Sequence, residues 1–430
     1  MRLHICIVGP IATADIGHLL DGETTGLPVG YSGAPLMATL IAELLRRGHQ
    51  VTAITLSGGM ALDWRQPARA KGHNLEMVYV PMRRRAWRPN GWLLGRIFDL
   101  YAFERRGLQY AIEQAKPDVV HAHWSYEFAW AAQRTGLPAV ITCHDSPFLV
   151  ARMYSQSRPT RSVYRWLKAG MAWHVLRHAQ HVTAVSPYMQ AEAQALCKCP
   201  VTVVPNPLPN LVRDKAIDHF RQPDPYSPVL AMVANGWSKI KNPEPALQAF
   251  TRLRIRKPGA RLKMYGTDYG PGEQAERWAH QKGIAEGMEF IGRVPYGQLL
   301  DELAVADILV HPSLEETFGM SIAEAMAQGV PVIGGEGSGA VPWVVGEGGI
   351  LVDVTSATAI EQAMLDLLDS GERYRVFVET AQKRARSYFK AERVAEAYEE
   401  IYLKIAKAGP DHVMTSTIQS LTNQKNRGYP

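Results

Sequence analysis

The sequence lacks any apolar run long enough to cross a bilayer; none approaches the ~20 residues that a spanning helix needs. Its opening, MRLHICIVGP, is too short for the hydrophobic core of a secretory signal and runs into a Gly-Pro turn. It reads as a first strand, and the expected location is the cytoplasm. Cysteine is scarce. Cys6 and Cys143 lie in strand-like apolar runs and read as core thiols. Cys197-Lys-Cys199 is a pair without a second pair, which argues against a structural zinc site, and nothing asks for an oxidising compartment. There is no fixed-period repeat and no low-complexity block. The net charge of +6 is a modest, general excess over 430 residues rather than a basic stripe, so nucleic acid is not an implied partner. What is plentiful is apolar residue, 46% of the chain, enough for substantial cores in two or three domains.

Apolar, β-branched runs alternate with amphipathic stretches, the pattern of βα units and parallel sheets. LHICIVG, QVTAITL, LEMVYVP, DVVHAHW, PAVITCH, HVTAVS and VTVVP form a first series of strands. A helix over APLMATLIAELLRRG stops at Arg46-Arg47-Gly48, where basic residues meet the C-terminal dipole and Gly takes the turn. The Pro-rich, polar stretch 206–228 breaks the rhythm and reads as a linker. A second series follows in VLAMVANG, RLKMYG, MEFIG, ADILVHP, VPVIGG and GGILVDV. The expected fold class is α/β, with two doubly wound Rossmann-like domains facing a cleft. Their expected limits are 1–208, a linker at 209–227, and 228–389, with 409–430 a disordered tail.

One stretch carries unusual chemistry. EETFGMSIAEAMAQG, 315–329, reads as a buried helix, yet Glu324 lies in its middle and Glu316 just before it. A buried carboxylate without a partner is costly. Gly319 admits close backbone approach, and the free N–H groups from Phe318 to Ser321 suit a diphosphate. Carboxylates flanking such an anion site are useful for hydroxyls, as in a nucleotide-sugar. By spacing alone the alternative stays open: a solvated Glu316, and a Glu324 paired with Lys or Arg.

HPSLEETFGMSIAEAMAQGVPVIG closely resembles the E-x7-E signature of the retaining glycosyltransferases of family 4, which have the GT-B fold. EFIGRVPYGQLLDELAVADILVHPS, PDVVHAHW, RRGHQVTAIT, ITCHDS and VTAVSPYM followed by VTVVPNP extend the resemblance to about 390 to 400 residues, leaving out the tail and the segment 58–110. Together these motifs are specific, although each alone is weak. The resemblance implies that Glu316 contacts the donor sugar and Glu324 the ribose. Phe318, Gly319, Met320 and Ser321 would hold the diphosphate. In VANGWSKIKNPEPALQAF, Lys241 matches the family's lysine that neutralises the leaving diphosphate, but Gly236 stands where the family has an arginine. Lys239 or Arg293, with Val294 beside it, would then complete the donor site, or the helix dipole carries more of the charge. Gly30 and Gly33, in GLPVGYSGAP, match the loop near the donor phosphates and the acceptor, Gly33 being the one that abuts the helix. His144 matches a histidine near sugar or acceptor, with Asp145 placed to orient its imidazole.

His121 and His123 share a strand face, but no third ligand accompanies them, so a hydrogen-bonding role is expected rather than a metal. No Asp-x-Asp occurs, which removes the metal-diphosphate clamp of the other large glycosyltransferase fold. Neither cofactor nor obligatory metal is expected. The family implies a nucleotide-sugar donor in the C-terminal domain and a glycan, lipid-linked or small-molecule acceptor in the N-terminal one. It also implies a last helix near 390–407 that crosses back onto the N-terminal domain, and work in polysaccharide, lipopolysaccharide or other glycoconjugate synthesis. RRRAWRPNGWLLGR, 83–96, sets Arg83, Arg84, Arg85 and Arg88 beside Trp87 and Trp92, which suits peripheral contact with an anionic membrane. A GT-B sugar-nucleotide epimerase is the rival reading. A nicotinamide oxidoreductase is weaker, because GEGSG at 335–339 lacks the complete dinucleotide fingerprint.

Overall fold

The computed structural model describes residues 1–154, 159–209, 212 and 222–408. Most of the expected linker (210, 211 and 213–221) and the tail 409–430 lie outside the described residues. The chain divides into two compact units. One comprises Met1–Val185, Met189–Val204 and the chain from Val394; the other comprises Ser186–Tyr188 and Pro205–Arg393. The first stretch ends at Val204 rather than 208 because the chain beyond it already belongs to the second unit. There the Leu208 N–H donates to the Phe389 carbonyl at 2.7 Å.

Among the described residues, the first unit carries eight strands: β1 (His4–Val8), β2 (Gln50–Gly58), β3 (Ala68–Gly72), β4 (Leu75–Met82), β5 (Val119–His123), β6 (Ala139–Cys143), β7 (Val182–Ala184) and β8 (Val201–Val203). They pair in the order β3-β4-β2-β1-β5-β6-β7-β8, parallel except for β3 against β4. Ala68–Gly72 was not expected as a strand. ARAKG offers only the small Ala68 and Ala70 to the core, too weak an apolar face to read as a strand, and the turn at Asn74, with φ +58, folds it back along β4 as a sheet edge. The helix Leu36–Arg46 packs Met37, Leu40, Ile41 and Leu44 onto Ile5 and Ile7, and Gly48 at φ +88 ends it as expected. The last described helix, Ala391–Ala408, contributes Val394, Tyr398, Tyr402 and Ile405 to that same core.

The second unit carries β9 (Val229–Val233), β10 (Arg261–Tyr265), β11 (Met288–Gly292), β12 (Ile308–His311), β13 (Val332–Gly335) and β14 (Gly349–Val352), all parallel, in the order β11-β10-β9-β12-β13-β14. Leu230, Met232, Met264, Ile308 and Val310 meet Phe250, Leu253, Ile360 and Leu367 in its core. The strand order reverses between β9 and β12. That is a topological switch point, where doubly wound sheets leave a crevice at the strand ends.

Candidate active site

In the second unit, the loops after β9 and β12 carry the nominated residues to one place. Glu316 follows β12, and Lys241 follows β9 immediately before the helix Pro243–Arg256. Lys241 Nζ donates to Glu316 Oε1 at 2.6 Å, and His311 Nε2, at the end of β12, reaches the same oxygen at 3.2 Å. Burial alone would raise the Glu316 pKa. The His311 hydrogen bond and the charge of Lys241 overcome that effect and hold it at about 2. Glu316 is therefore a carboxylate at neutral pH. Its Oε2 has no hydrogen-bond partner among the described residues.

Glu324 lies in the middle of the helix Met320–Ala327, buried, and among the described residues is not paired with Lys or Arg. Its Oε1 accepts the Tyr296 hydroxyl at 2.8 Å. Burial pushes its pKa up to about 7, against the opposing pull of that hydrogen bond. Before it, Gly319 takes φ +89, and a Cβ there would meet Ile322 Cδ1 at 2.9 Å, so glycine is required for this helix entry. The first-turn N–H groups, at Met320 and Ser321, have no partner inside the helix. Phe318 is buried against Phe389 and Trp343 and anchors the entry from beneath.

The two candidates for the missing arginine have different surroundings. Gly236, at φ +94, donates its N–H to the Thr267 carbonyl at 3.1 Å, and Arg293 Nε donates to Thr267 Oγ1 at 2.8 Å. Thr267 thus brings the exposed Arg293 beside the loop of Gly236, with Val294 half-buried next to it. Lys239 is also exposed and lines a hollow of about 630 Å³ with Trp237, Asn242, Gln248 and Leu314.

In the first unit, His144 ends β6, buried. Its Nε2 lies 2.8 Å from His123 Nδ1, and Trp124 stacks on its ring at 4.2 Å. His121 bonds Tyr402 and Thr142, at 2.5 and 2.7 Å. Burial holds both His121 and His123 well below the usual histidine pKa, so both are neutral hydrogen-bonding groups. Among the described residues, no cluster of three or more His, Cys, Asp or Glu is arranged to hold a metal. The expectation for Asp145 fails: its Oδ2 accepts the Tyr126 hydroxyl at 3.0 Å, its Oδ1 is buried without a hydrogen-bond partner among the described residues, and His123 is the residue aligned on His144. Gly33, at φ +116, has open space around it. Gly30 is the constrained glycine of that loop, since a Cβ there would lie 2.3 Å from the Ile11 carbonyl oxygen.

Arg83 is also corrected. It is not a surface cation but a buried one, bonded to Glu104 Oε2 at 2.6 Å and Asp99 Oδ1 at 2.8 Å. Two site residues escaped the sequence reading. His311 lies five residues before Glu316 in HPSLEE, and Tyr296 lies beside the nominated Arg293 and Val294; adjacency to those nominated residues was the available signal.

The model for family 4 glycosyltransferases matches residues 35–209, running through 58–110, and the model for group 1 glycosyl transferases matches 214–384. Among curated relatives, N-acetyl-alpha-D-glucosaminyl L-malate synthase of Bacillus anthracis is 28% identical over 183 residues, 42% of this chain and 46% of that protein. The chain spans less than two thirds of the length of the first such relatives. Sucrose-phosphate synthase of Thermosynechococcus elongatus has the same fold, with a TM-score of 0.69 at 16% identity over 95% of this chain and 100% of that one. HepE of Anabaena, solved with UDP and glucose, matches at a TM-score of 0.59 and 17% identity, over 94% of this chain and 100% of that one. With two family models that cover nearly all of 35–384 and a shared architecture, the chain belongs to the GT-B glycosyltransferases of family 4.

Proposed function

We propose that this protein is a retaining, metal-independent glycosyltransferase that moves a sugar from a nucleotide-sugar to an acceptor hydroxyl in glycoconjugate synthesis. The observation that carries the reading is the state of Glu316. Two cationic or polar donors converge on Oε1, while Oε2 is left to accept a sugar hydroxyl. Glu324 repeats the arrangement, with Tyr296 on one oxygen and the other available to a ribose hydroxyl.

In this reading the diphosphate lies across the helix entry at Gly319–Ser321, where unpaired N–H groups and the helix dipole favour an anion. Lys241 keeps N–H groups beyond the one given to Glu316, and these stabilise negative charge as the sugar–phosphate bond breaks. Arg293 supplies the second cation. The acceptor oxygen attacks on the face the diphosphate leaves, and a departing phosphate oxygen takes its proton, so no protein base is assigned. The acceptor belongs to the first unit, near His144. Ser125 Oγ and Asp145 Oδ1, buried and without a hydrogen-bond partner among the described residues, support a hydroxyl-bearing acceptor there.

UDP is the first nucleotide to test, because HepE binds it in the same fold. The experiment is nucleoside diphosphate release from UDP-, GDP- and ADP-sugars in EDTA, for wild type and Glu316→Ala. Slow hydrolysis of one donor, lost in the variant, is expected. No release, with no thermal shift from any nucleotide, would overturn the donor site; release abolished by EDTA would overturn metal independence.

A further inference from the structure

The first unit has an exposed face that its own packing does not use. In the helix Pro159–Arg177, Tyr164, Met171 and Ala172 turn inward to Ile97, Tyr101 and Tyr126. Lys168 also turns inward, with its ammonium 3.1 Å from Glu127 and over the Tyr126 ring. The outward arc carries Val163, Trp166, Leu167 and Trp173, with Trp166 and Trp173 43% and 48% exposed. At 100° per residue these four lie within one third of the helix circumference, together with exposed Gly170 and Arg177. A solvent-facing helix normally places polar residues there.

A second exposed group adjoins it through the same buried cluster. Ile97 and Tyr101 anchor the preceding loop to this helix, and the Tyr101 and Tyr164 hydroxyls bond each other. That loop exposes Trp92 (87%), Leu94 and Phe98, along with Arg84, Arg85 and Arg88. Charge selects the occupant. No Asp or Glu occurs between Glu76 and Asp99, nor between Asp145 and Glu192, although acidic residues are common elsewhere. Both apolar groups therefore stand in purely basic stretches.

We propose that the first unit docks on an anionic lipid bilayer, with Trp166, Trp173 and Trp92 seated at the headgroup boundary and Arg84, Arg85 and Arg88 on lipid phosphates. Aromatic rings with an apolar body and a polar edge favour that boundary, and arginines alone or apolar residues alone would hold it only weakly. The helix lies along the surface: no described helix is long and apolar enough to cross a membrane.

The test is co-sedimentation of the full chain with vesicles of phosphatidylcholine plus phosphatidylglycerol, and of phosphatidylcholine alone, at low and high salt. No sugar or nucleotide is present, so failure here leaves the donor-site reading untouched. Binding to the anionic vesicles, reversed by salt, is expected. Trp166→Ser/Trp173→Ser should weaken it at least tenfold, and Arg84→Ser/Arg85→Ser/Arg88→Ser by about fivefold per arginine. Unchanged thermal melting shows that the variants fold. The proposal is overturned if the wild type ignores anionic vesicles at low salt, or if folded variants bind as well as wild type. It also falls if the tryptophan pair instead breaks a dimer seen by sedimentation velocity while vesicle binding is absent.

Discussion

Lys241 Nζ stands 2.6 Å from Glu316 Oε1, joining the loop after β9 to the loop after β12 across the switch point of the second sheet. The pair is mostly enclosed, and His311 completes it. One carboxylate thus both positions a cation and keeps an oxygen in reserve.

That carboxylate makes part of the protein's stability dependent on acid. Its pKa is about 2 in the folded protein, below the ordinary 4.5, so the folded state binds fewer protons than the unfolded one. The resulting stability is full above pH 4.5 and is lost as pH falls toward 2. Roughly 3 kcal/mol is at stake. Urea unfolding of wild type and Glu316→Gln should show a wild-type advantage at pH 7 that shrinks toward pH 3. A constant difference would contradict the pairing.

Glu324 has the opposite sign. Its folded pKa is raised to about 7, so stability is present below pH 4.5 and lost as pH rises through 7. Glu324→Gln should match wild type near pH 4 and exceed it at pH 8, by up to roughly 3 kcal/mol before relaxation. Equal stability of the two proteins at pH 8 would remove the burial argument.

The two cation candidates should separate by calorimetry. Arg293→Ala should weaken nucleoside diphosphate binding about tenfold, as the loss of one charge-assisted contact does. Lys239→Ala should stay within about twofold. The reverse ranking would give the role to Lys239.

Arg83 tests the corrected reading of the basic loop. Its guanidinium is fully enclosed with Glu104, so Arg83→Ala leaves a buried carboxylate unpaired and should cost about 3–5 kcal/mol. Arg84→Ser, at an exposed position, should change stability by no more than about 0.5 kcal/mol. A mild Arg83→Ala would show that the pocket admits water.

Much of the architecture was legible because it is written in short-range periodicity. Runs such as VLAMV and ILVH can hardly be other than buried strands. The edge strand Ala68–Gly72 and the helix Gly371–Tyr388 lie outside the runs singled out from the sequence, because neither carries a strong apolar pattern. Neighbours confer their structure: β4 on the strand, and on the helix a core that takes Tyr374 and Val378.

At the site, the sequence by itself determined the eight-residue spacing of Glu316 and Glu324, the glycine entry between them, and the lysine that follows β9. These are local in the chain. Only the tertiary structure decided the partners. It put His311 and Lys241 on one oxygen of Glu316, Tyr296 on Glu324, His123 rather than Asp145 on His144, and Arg83 in a buried ion pair. The physical reason is that hydrogen bonds and desolvation depend on distances through space. Those distances, between residues up to 75 positions apart, are set by strand order and not by local pattern.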